Sequence, residues 1–396
     1  MPRLLEPLPQ HRVLVEWLKA HEPEVWEWFA DDARKVEQAE QIRLALLRDT
    51  YRLDAAEHPE VFAEVAAAKL ALGLTVPVQV YQAQGQSGPN AAMCHLPGEA
   101  HLIFSGPILS LLSPLELRAV IGHELAHYFL WEQEDGAFYR ADRILEASAS
   151  HDAAHPSHGH SARLWRMTTE LYADRGAFIA TDSLEAAVGG LVKTTTGLSQ
   201  LSARSYLAQA AEIFSKSKPK TEEYSHPETF MRAYALDLWV KEDEDLNEAV
   251  ARMLDRDDGL DAMTVAEQVQ LTRQTRRFLA QFLTPEWFQS EPVLAHARLY
   301  FPDFQVAPAK DATLLNELTG LPTPQREFLG QVMVDFCAVD PDLEDGPVIA
   351  ALGWARELEI LGAFEKMVTR DLKLKARDLK RLKDKSAAPA AGVAIP

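Results

Sequence analysis

Residues 113–127 read SPLELRAVIGHELAH and carry the clearest local signal in the chain. Ser113 can accept a hydrogen bond from the first turn of a helix, and Pro114 suits the first helical position. Glu116 completes a capping box with Ser113. Apolar residues then recur at helical spacing as far as about Trp131. The sequence therefore predicts a helix that begins at Ser113 and ends near Trp131.

Two histidines lie one turn apart on this predicted helix, with a glutamate next to the first. His123 and His127 occupy positions i and i+4, so both imidazoles can reach one zinc ion. Glu124 projects near the open position of such a site, where a carboxylate can take a proton from zinc-bound water. The alternative is an amphipathic helix with two surface histidines. Apolar Val120 and Ile121 favour a buried helix and hence a zinc site, because buried histidines without a ligand would be costly.

A second helix, predicted over about 162–181, offers the third ligand. Glu170 and Asp174 are four residues apart and share one helical face. Glu170 can bind the metal, while Asp174 can orient a ligand histidine through a hydrogen bond. The alternative is a solvated acidic face, but Leu171 and Phe178 indicate a largely buried helix.

The remaining chain is predicted to be mostly helical. Apolar residues recur at helical spacing over 12–72, whereas Val76–Val80 and Glu99–Phe104 are predicted as strands. The expected fold class is mainly α with a small β-sheet (α+β). We expect an N-terminal helical region, a central domain, a helical connector, a C-terminal helical domain and a disordered tail, at residues 1–72, 73–244, 245–310, 311–384 and 385–396.

Composition limits function and location. The chain has 396 residues, with 40 Lys+Arg against 59 Asp+Glu and a formal net charge of −19. This acidity argues against nucleic-acid binding, because phosphates would be repelled. Two cysteines, Cys94 and Cys337, exclude a disulfide-stapled scaffold. Because the sequence shows neither a signal-peptide pattern nor an apolar run of about 18 residues, we expect a cytoplasmic protein without a membrane span.

Four ordered elements resemble the zinc metallopeptidases that include CAAX prenyl endopeptidase and the HtpX-like proteases. The first is Pro89-Asn-Ala91, and the second is the histidine helix within 113–127. Glu170-Leu-Tyr-Ala-Asp-Arg175 is similar to the family's Glu-x-x-x-Asp element. Ser225-His-Pro-Glu-Thr-Phe-Met-Arg232 is similar to its later Ser/Thr-His-Pro element with a following arginine. The resemblance covers about residues 60–240.

The resemblance implies a gluzincin-type core, one zinc ion per chain and hydrolysis of peptide bonds in proteins or peptides. His123, His127 and Glu170 correspond to the family's zinc ligands, and Glu124 corresponds to its general base. Asp174 corresponds to the residue that orients a ligand.

Two further roles rest on the resemblance alone. His226 corresponds to a histidine near the metal that stabilises the oxyanion or occupies the fourth position in a latent state. Considered without the family, His226-Pro227 fits the start of a helix. Arg232 is expected to hold this segment through a buried salt bridge.

A peptide substrate can pair with the edge of a sheet as an added strand. The predicted strand Glu99–Phe104 is the candidate for this pairing; the alternative is an ordinary sheet edge, and the two interpretations are compatible with each other. The expected substrate contacts are Asn90, Ala91, Glu99, His101 and Ile103.

Two weaker signals leave alternatives open. His151, His155, His158 and His160 fit a mobile, solvated loop, although one of them could cover the site or supply a further ligand. Cys94 fits a small buried residue better than an inhibitory thiolate.

The C-terminal region offers a competing function. Lys366–Lys385 contains nine Lys+Arg and three Asp, which predicts a basic amphipathic helix. Such a helix is solvated by default, or docks on an acidic surface of its own protein, a regulatory protein partner or a membrane. Residues 328–346 weakly resemble TerB-like domains. The alternative is therefore a zinc-stabilised, non-catalytic adaptor, but an adaptor has no need of Glu124, so the sequence favours a peptidase.

Overall fold

The structure of the protein is a computed structural model that describes residues 5–30, 32–85, 88–96, 98–151, 154–216, 228–243, 246, 250, 259–306, 311 and 313–387. The chain forms two compact units, Met1–Arg256 and Asp257–Pro396. The finer five-part division stays a prediction. Within the described ranges, every helix is too short or too polar to span a lipid bilayer.

The first unit combines helices with a small sheet, which confirms the expected fold class. Its helices are α1 (Pro9–His21), α2 (Pro23–Trp28), α3 (Asp32–Asp49), α4 (Pro59–Leu72), α5 (Ile108–Leu111), α6 (Pro114–Glu132), α7 (Ala137–Ala149), α8 (Pro156–Thr181), α9 (Leu184–Thr196), α10 (Ala203–Lys216) and α11 (Thr229–Lys241). Its strands are β1 (Thr50–Arg52), β2 (Val78–Ala83), β3 (Asn90–Leu96) and β4 (Glu99–Ser105).

The strand order is β1-β2-β4-β3. β4 pairs in parallel with β2, with Val80 opposite Leu102, and antiparallel with β3, with Met93 opposite Leu102. The expected edge strand Glu99–Phe104 is therefore wrong, because β4 is hydrogen-bonded on both sides. The edge strand next to β4 is β3, whose run of small and polar residues lacks the alternation that predicts a strand.

The two helices of the predicted site cross at very short range. A Cβ on Gly122 of α6 would lie 2.4 Å from the Cβ of Ala180, and a Cβ on Gly176 of α8 would lie 2.3 Å from the Cβ of Ala126. Because such contacts are closer than real Cβ atoms allow, only glycine fits at both positions. The crossing brings the polar faces of α6 and α8 together.

Apolar cores hold these helices against the sheet and against each other. The core between the sheet, α4 and α6 includes Val61, Val65, Val80, Leu102, Phe104 and Ile121. A second core packs α1, α6, α7 and α8 through side chains that include Leu18, Leu130, Phe138, Trp165 and Tyr172. Burying large side chains of this kind contributes about 1.5–3 kcal/mol each. α6 lies in both cores, so its position is fixed from two sides.

The second unit is helical over its described residues. Its helices are α12 (Val265–Phe282), α13 (Glu291–Tyr300), α14 (Leu314–Thr319), α15 (Thr323–Cys337), α16 (Gly346–Glu357), α17 (Leu361–Asp371) and α18 (Ala376–Ala387). Its core is rich in buried aromatic side chains, among them Phe278, Phe282, Phe288, Phe336, Trp354 and Phe364.

The basic C-terminal segment docks on its own unit. It is divided between α17 and α18 rather than forming one helix. Leu379 and Leu382 of α18 are buried, and Arg381 Nη2 lies 3.0 Å from Asp345 Oδ2. Lys383 Nζ lies 2.5 Å from Glu365 Oε1. Of the alternatives considered, the structure therefore places this helix on an acidic surface of its own protein.

Candidate metal centre

α6 begins where the sequence predicts. The hydroxyl of Ser113 accepts a hydrogen bond from the backbone N–H of Glu116 at 3.4 Å, and the Glu116 carboxylate accepts one from the backbone N–H of Ser113 at 2.8 Å. Lys193 of α9 pairs with the same carboxylate at 2.8 Å. These contacts fix the start of the helix, and with it the side-chain positions two turns further on.

Three side chains of the predicted ligand set converge. His123, His127 and Glu170 each offer one ligand atom within 4.8 Å of the others. The two histidine Nε2 atoms are 3.3 Å apart, and Glu170 oxygens lie 3.5 Å from His123 Nε2 and 3.7 Å from His127 Nε2. Ligands about 2.0–2.2 Å from one tetrahedral zinc ion lie roughly 3.3–3.6 Å from one another. The residues therefore fit a zinc ion with three protein ligands.

Two further side chains surround this cluster. Asp174, one turn beyond Glu170 on α8, accepts a hydrogen bond from His123 Nδ1 at 3.1 Å, which leaves Nε2 facing the other ligands. Arg232 of α11 donates to both Asp174 oxygens at 2.7 and 2.9 Å, and its Nη1 lies 2.9 Å from Glu170. Arg232 thus bridges the two carboxylates, and α11 is held to α8 by a buried ion pair.

Burial and neighbouring charges set the protonation of the cluster. Burial lowers the pKa of His127 to about 4, which favours the neutral imidazole that binds metals. Burial also lowers the pKa of His123, but the Asp174 and Glu170 carboxylates outweigh it and raise the pKa to about 10. Although burial raises the pKa of Glu170, Arg232 and His123 hold it well below its usual range. Metal binding would therefore displace a proton from His123.

Glu124 lies beside the ligand cluster and is buried, with 8% of its surface exposed. Burial raises the pKa of its carboxyl group to about 7, opposed in part by His123 and by the backbone of Met93 in β3. A carboxyl group with this pKa can gain and lose a proton near neutral pH, which is the property required of a general base.

A cavity of about 1030 Å³ opens over these residues. One part of its wall is the first half of the edge strand β3, over residues 90–93, and another is the C-terminal end of α9 with Gly197. The candidate ligands and Glu124 line it together with Trp131, Asp142, Arg166, Thr169, Asp174 and Arg232. Its volume is at the upper end for small-molecule pockets, so it can accommodate several residues of an extended peptide.

Sequence reasoning missed the support that α1 gives to the centre. His11 is completely buried, and its Nε2 lies 3.1 Å from the hydroxyl of Thr169, the residue before Glu170. Its Nδ1 accepts a hydrogen bond from the backbone N–H of Leu8 at 3.2 Å. Aromatic rings of Phe138 and Trp165 surround it. A lone histidine near the N-terminus gives no local signal of such a role.

Trp131 is another lining residue that was not predicted. Its ring centroid lies 5.8 Å from that of His127, four residues earlier on α6. The helical spacing of 127 and 131 is a signal that could have indicated it.

The other predicted substrate contacts divide into two groups. Asn90 and Ala91 line the cavity. Glu99, His101 and Ile103 belong to the interior strand β4, where His101 is 2% exposed and Glu99 pairs with Arg43. These three residues were wrongly expected at the edge, because the sequence did not predict that β3 pairs with β4.

His226 and its neighbours at 217–227 lie outside the described residues. The predicted histidine loop is shorter than expected, because α8 already begins at Pro156 and His155 caps it by accepting a hydrogen bond from Ser157 N. His158 and His160 are therefore helical. Cys94 lies in β3 and is partly buried, and burial raises the pKa of its thiol.

Comparison with known proteins yields one family match. Residues 53–135, from before α4 to just after α6, match the model of Peptidase family M48, and the match contains His123, Glu124 and His127. No curated protein and no solved structure matches the chain. The M48 match supports a zinc metallopeptidase family for this segment of the chain.

Proposed function

We propose that the protein is a zinc-dependent metalloendopeptidase that hydrolyses peptide bonds in proteins or peptides. The observation that carries the proposal is the convergence of His123, His127 and Glu170 at metal-ligand spacing, with Glu124 beside them on the same cavity. The family match over residues 53–135 supports the same chemistry. One zinc ion per chain would be held by these three ligands.

Three protein ligands leave one position of a tetrahedral site open, as catalysis requires. When bound there, zinc supplies a Lewis acid that polarises the scissile carbonyl and lowers the pKa of water. Glu124 accepts the proton of the attacking water and later donates it to the nitrogen of the leaving amine. Its burial keeps this proton transfer out of bulk solvent.

Asp174 and Arg232 act through the ligands. Asp174 fixes the tautomer and ring orientation of His123 through the 3.1 Å hydrogen bond to Nδ1. Arg232 compensates the charge of Glu170 and Asp174, so that two carboxylates can stay ionised in a buried site. Both residues are positioning residues.

The substrate peptide is proposed to lie along β3. This strand is one of the two edges of the described sheet, and its residues 90–93 line the cavity that holds Glu124. A peptide that adds to this edge satisfies backbone groups that the sheet leaves unpaired, whatever its side chains are. Asn90 and Ala91 are therefore retained as proposed substrate contacts, and β3 takes the role first expected of Glu99–Phe104.

His226 is proposed to stabilise the oxyanion, or to occupy the open position in a latent state. The support is its place in the chain: Arg232, six residues later, contacts both Glu170 and Asp174.

The test is cleavage of a cell lysate by the zinc-loaded protein, with new amino termini labelled and identified. Glu124→Gln should keep zinc but lower cleavage by about 100-fold or more, since general-base catalysis contributes about 10²–10⁴-fold. Glu185→Gln, on the exposed first turn of α9, is the matched control and should cleave normally. Turnover by Glu124→Gln at the rate of the control would exclude Glu124 as the base.

Equal absence of new termini with the intact protein and with Glu124→Gln would favour the alternative, a zinc-stabilised adaptor acting through its C-terminal helices. The same assay on His226→Phe separates a latent enzyme from an adaptor, because only a latent enzyme gains cleavage when a blocking ligand is removed.

A further inference from the structure

His95 is a buried histidine that the proposed chemistry does not use. It lies near the end of the edge strand β3, and only 6% of its side chain is exposed. Its Nε2 lies 2.6 Å from an oxygen of Glu132, the last residue of α6. His95 therefore joins the edge strand to the helix that carries His123 and His127, at a point outside the ligand cluster.

Aromatic rings enclose the His95 ring. Its centroid lies 4.2 Å from that of Tyr139 on α7, 5.2 Å from Tyr128 and 5.8 Å from Trp131. Tyr128 and Trp131 are on α6, and Trp131 is also in ring contact with His127. Ring contacts of this kind are favourable beyond the burial of the rings themselves. The His95 ring thus packs against the C-terminal half of α6, the helix that carries His123 and His127.

The position of β3 relative to α6 depends on contacts outside the sheet. On one side the strand pairs with β4 along its whole length, from Asn90 to Leu96, and its other side is the edge. Pairing with β4 fixes the register of β3, and the Met93 backbone and the Ala91 and Met93 side chains already contact α6 or the core that it shares with the sheet. His95 adds a polar side-chain contact to α6, two residues beyond the last β3 residue in the cavity wall.

We propose that His95 is a positioning residue for substrate binding, which sets the distance between the edge of β3 and the metal-binding helix through Glu132 and the surrounding aromatic rings. The proposal rests on the proposed peptidase function for its substrate, but the positioning itself does not require catalysis. The consequence is that the edge of β3 is already held in the position that pairs with a peptide, so that binding does not have to order the strand first.

The test compares His95→Phe, His95→Gln and a control in the same sheet. Phenylalanine keeps the ring but loses the bond to Glu132, whereas glutamine can still donate to that carboxylate. Tyr81→Phe is the control, because it removes a buried side-chain hydrogen bond from the interior strand β2, where the Tyr81 hydroxyl lies 3.2 Å from His101 Nδ1.

His95→Phe should raise KM for a cleaved peptide by about tenfold and leave kcat within about twofold, since uniform binding of substrate and transition state is lost. His95→Gln should recover most of the affinity, and Tyr81→Phe should leave KM unchanged. Zinc content should be equal in all variants. An unchanged KM in His95→Phe, or a fall in kcat and zinc content at constant KM, would overturn the proposal.

Amide hydrogen exchange over residues 90–96 decides the positioning without any turnover. These amides should exchange faster in His95→Phe than in the wild type or Tyr81→Phe, while those of α6 around His123 keep their protection. If the protein shows this exchange pattern but has no peptidase activity, the proposed function is excluded and the positioning role of His95 is retained. Unchanged exchange of β3 in His95→Phe would overturn the positioning, whatever the activity.

Discussion

Each unit contains an arginine that bridges two carboxylates, and the surroundings of the two bridges differ. In the first unit Arg232 lies 2.9 Å from Glu170 and 2.7 Å from Asp174, and none of the three side chains is more than 15% exposed. In the second unit Arg277 lies 2.6 Å from both Asp311 and Glu317, and these side chains are 34–39% exposed. The same arrangement of charges is thus buried in one unit and solvated in the other.

This difference in burial indicates which of the two units contains the functional centre. Transferring charges out of water is costly, so buried ion pairs are seldom retained for stability alone. Exposed ion pairs are screened by solvent and contribute little to stability. The second unit fills its described core with aromatic and aliphatic side chains, and each of its described ion pairs has at least one side chain that is more than a third exposed. The first unit buries an arginine, three carboxyl groups and two histidines in one place, which is typical of a functional centre.

The sharpest test of this comparison removes each arginine in turn. Arg232→Met leaves two buried carboxylates beside His123, which supplies only one positive charge, and should lower the free energy of unfolding of the metal-free protein by about 3–5 kcal/mol. Arg277→Met should leave it unchanged within error, because water solvates Asp311 and Glu317. Urea unfolding of both variants measures the difference. Similar losses in the two variants would remove the distinction between the bridges.

Glycine packing gives a second, smaller contrast. Gly176→Ala places a Cβ against Ala126 and the backbone of Gly122, and should destabilise the protein by about 1–3 kcal/mol and weaken zinc binding. In the second unit a Cβ on Gly330 would lie 3.0 Å from Ile360 Cδ1 and 3.3 Å from Met367 Sδ, the ends of flexible side chains. Gly330→Ala should therefore be tolerated and leave zinc content unchanged. Urea unfolding and metal analysis measure both effects, and a harmless Gly176→Ala would show that the crossing is not tight.

The smallest expected effect concerns pH. Burial raises the pKa of Glu124 to about 7, whereas Arg277 holds that of the exposed Asp311 at about 2. A base must be ionised, so kcat/KM should fall tenfold per pH unit on the acid side of the Glu124 pKa. A bound cation lowers the pKa of Glu124, so the acid limb of the pH profile is expected between about pH 4.5 and pH 7. A profile of kcat/KM against pH that stays flat down to pH 4 would contradict the assignment.

Local signals predicted α6 and the convergence of His123, His127 and Glu170, whose role as metal ligands stays a prediction. The capping box at Ser113 and the i, i+4 spacing of His123 and His127 depend on a few consecutive residues, and the structure keeps both. Glu170 and Asp174 could be predicted for the same reason, because they lie one helical turn apart. Arg232 was recognised through the resemblance, and its contacts to Glu170 and Asp174 agree with the expected buried salt bridge.

Pairing between distant segments could not be predicted in this way. β3 was missed because Asn90–Leu96 lacks alternation and is a strand only through its register with β4. The edge was therefore assigned to the wrong strand. The start of α8 was placed too late, because the histidines before Ala162 suggested a loop, although Pro156 suits a first helical turn.

The long separations within the centre have a consequence for synthesis. Arg232 follows His123 by 109 residues. At translation rates of about 5–20 residues per second, α6 exists for roughly 5–20 s before the arginine that neutralises Glu170 and Asp174 has been made. During this interval the growing chain carries both histidines and Glu124 but cannot assemble the buried ion pair. The buried ion pair of the centre is therefore completed only after most of the first unit has been translated.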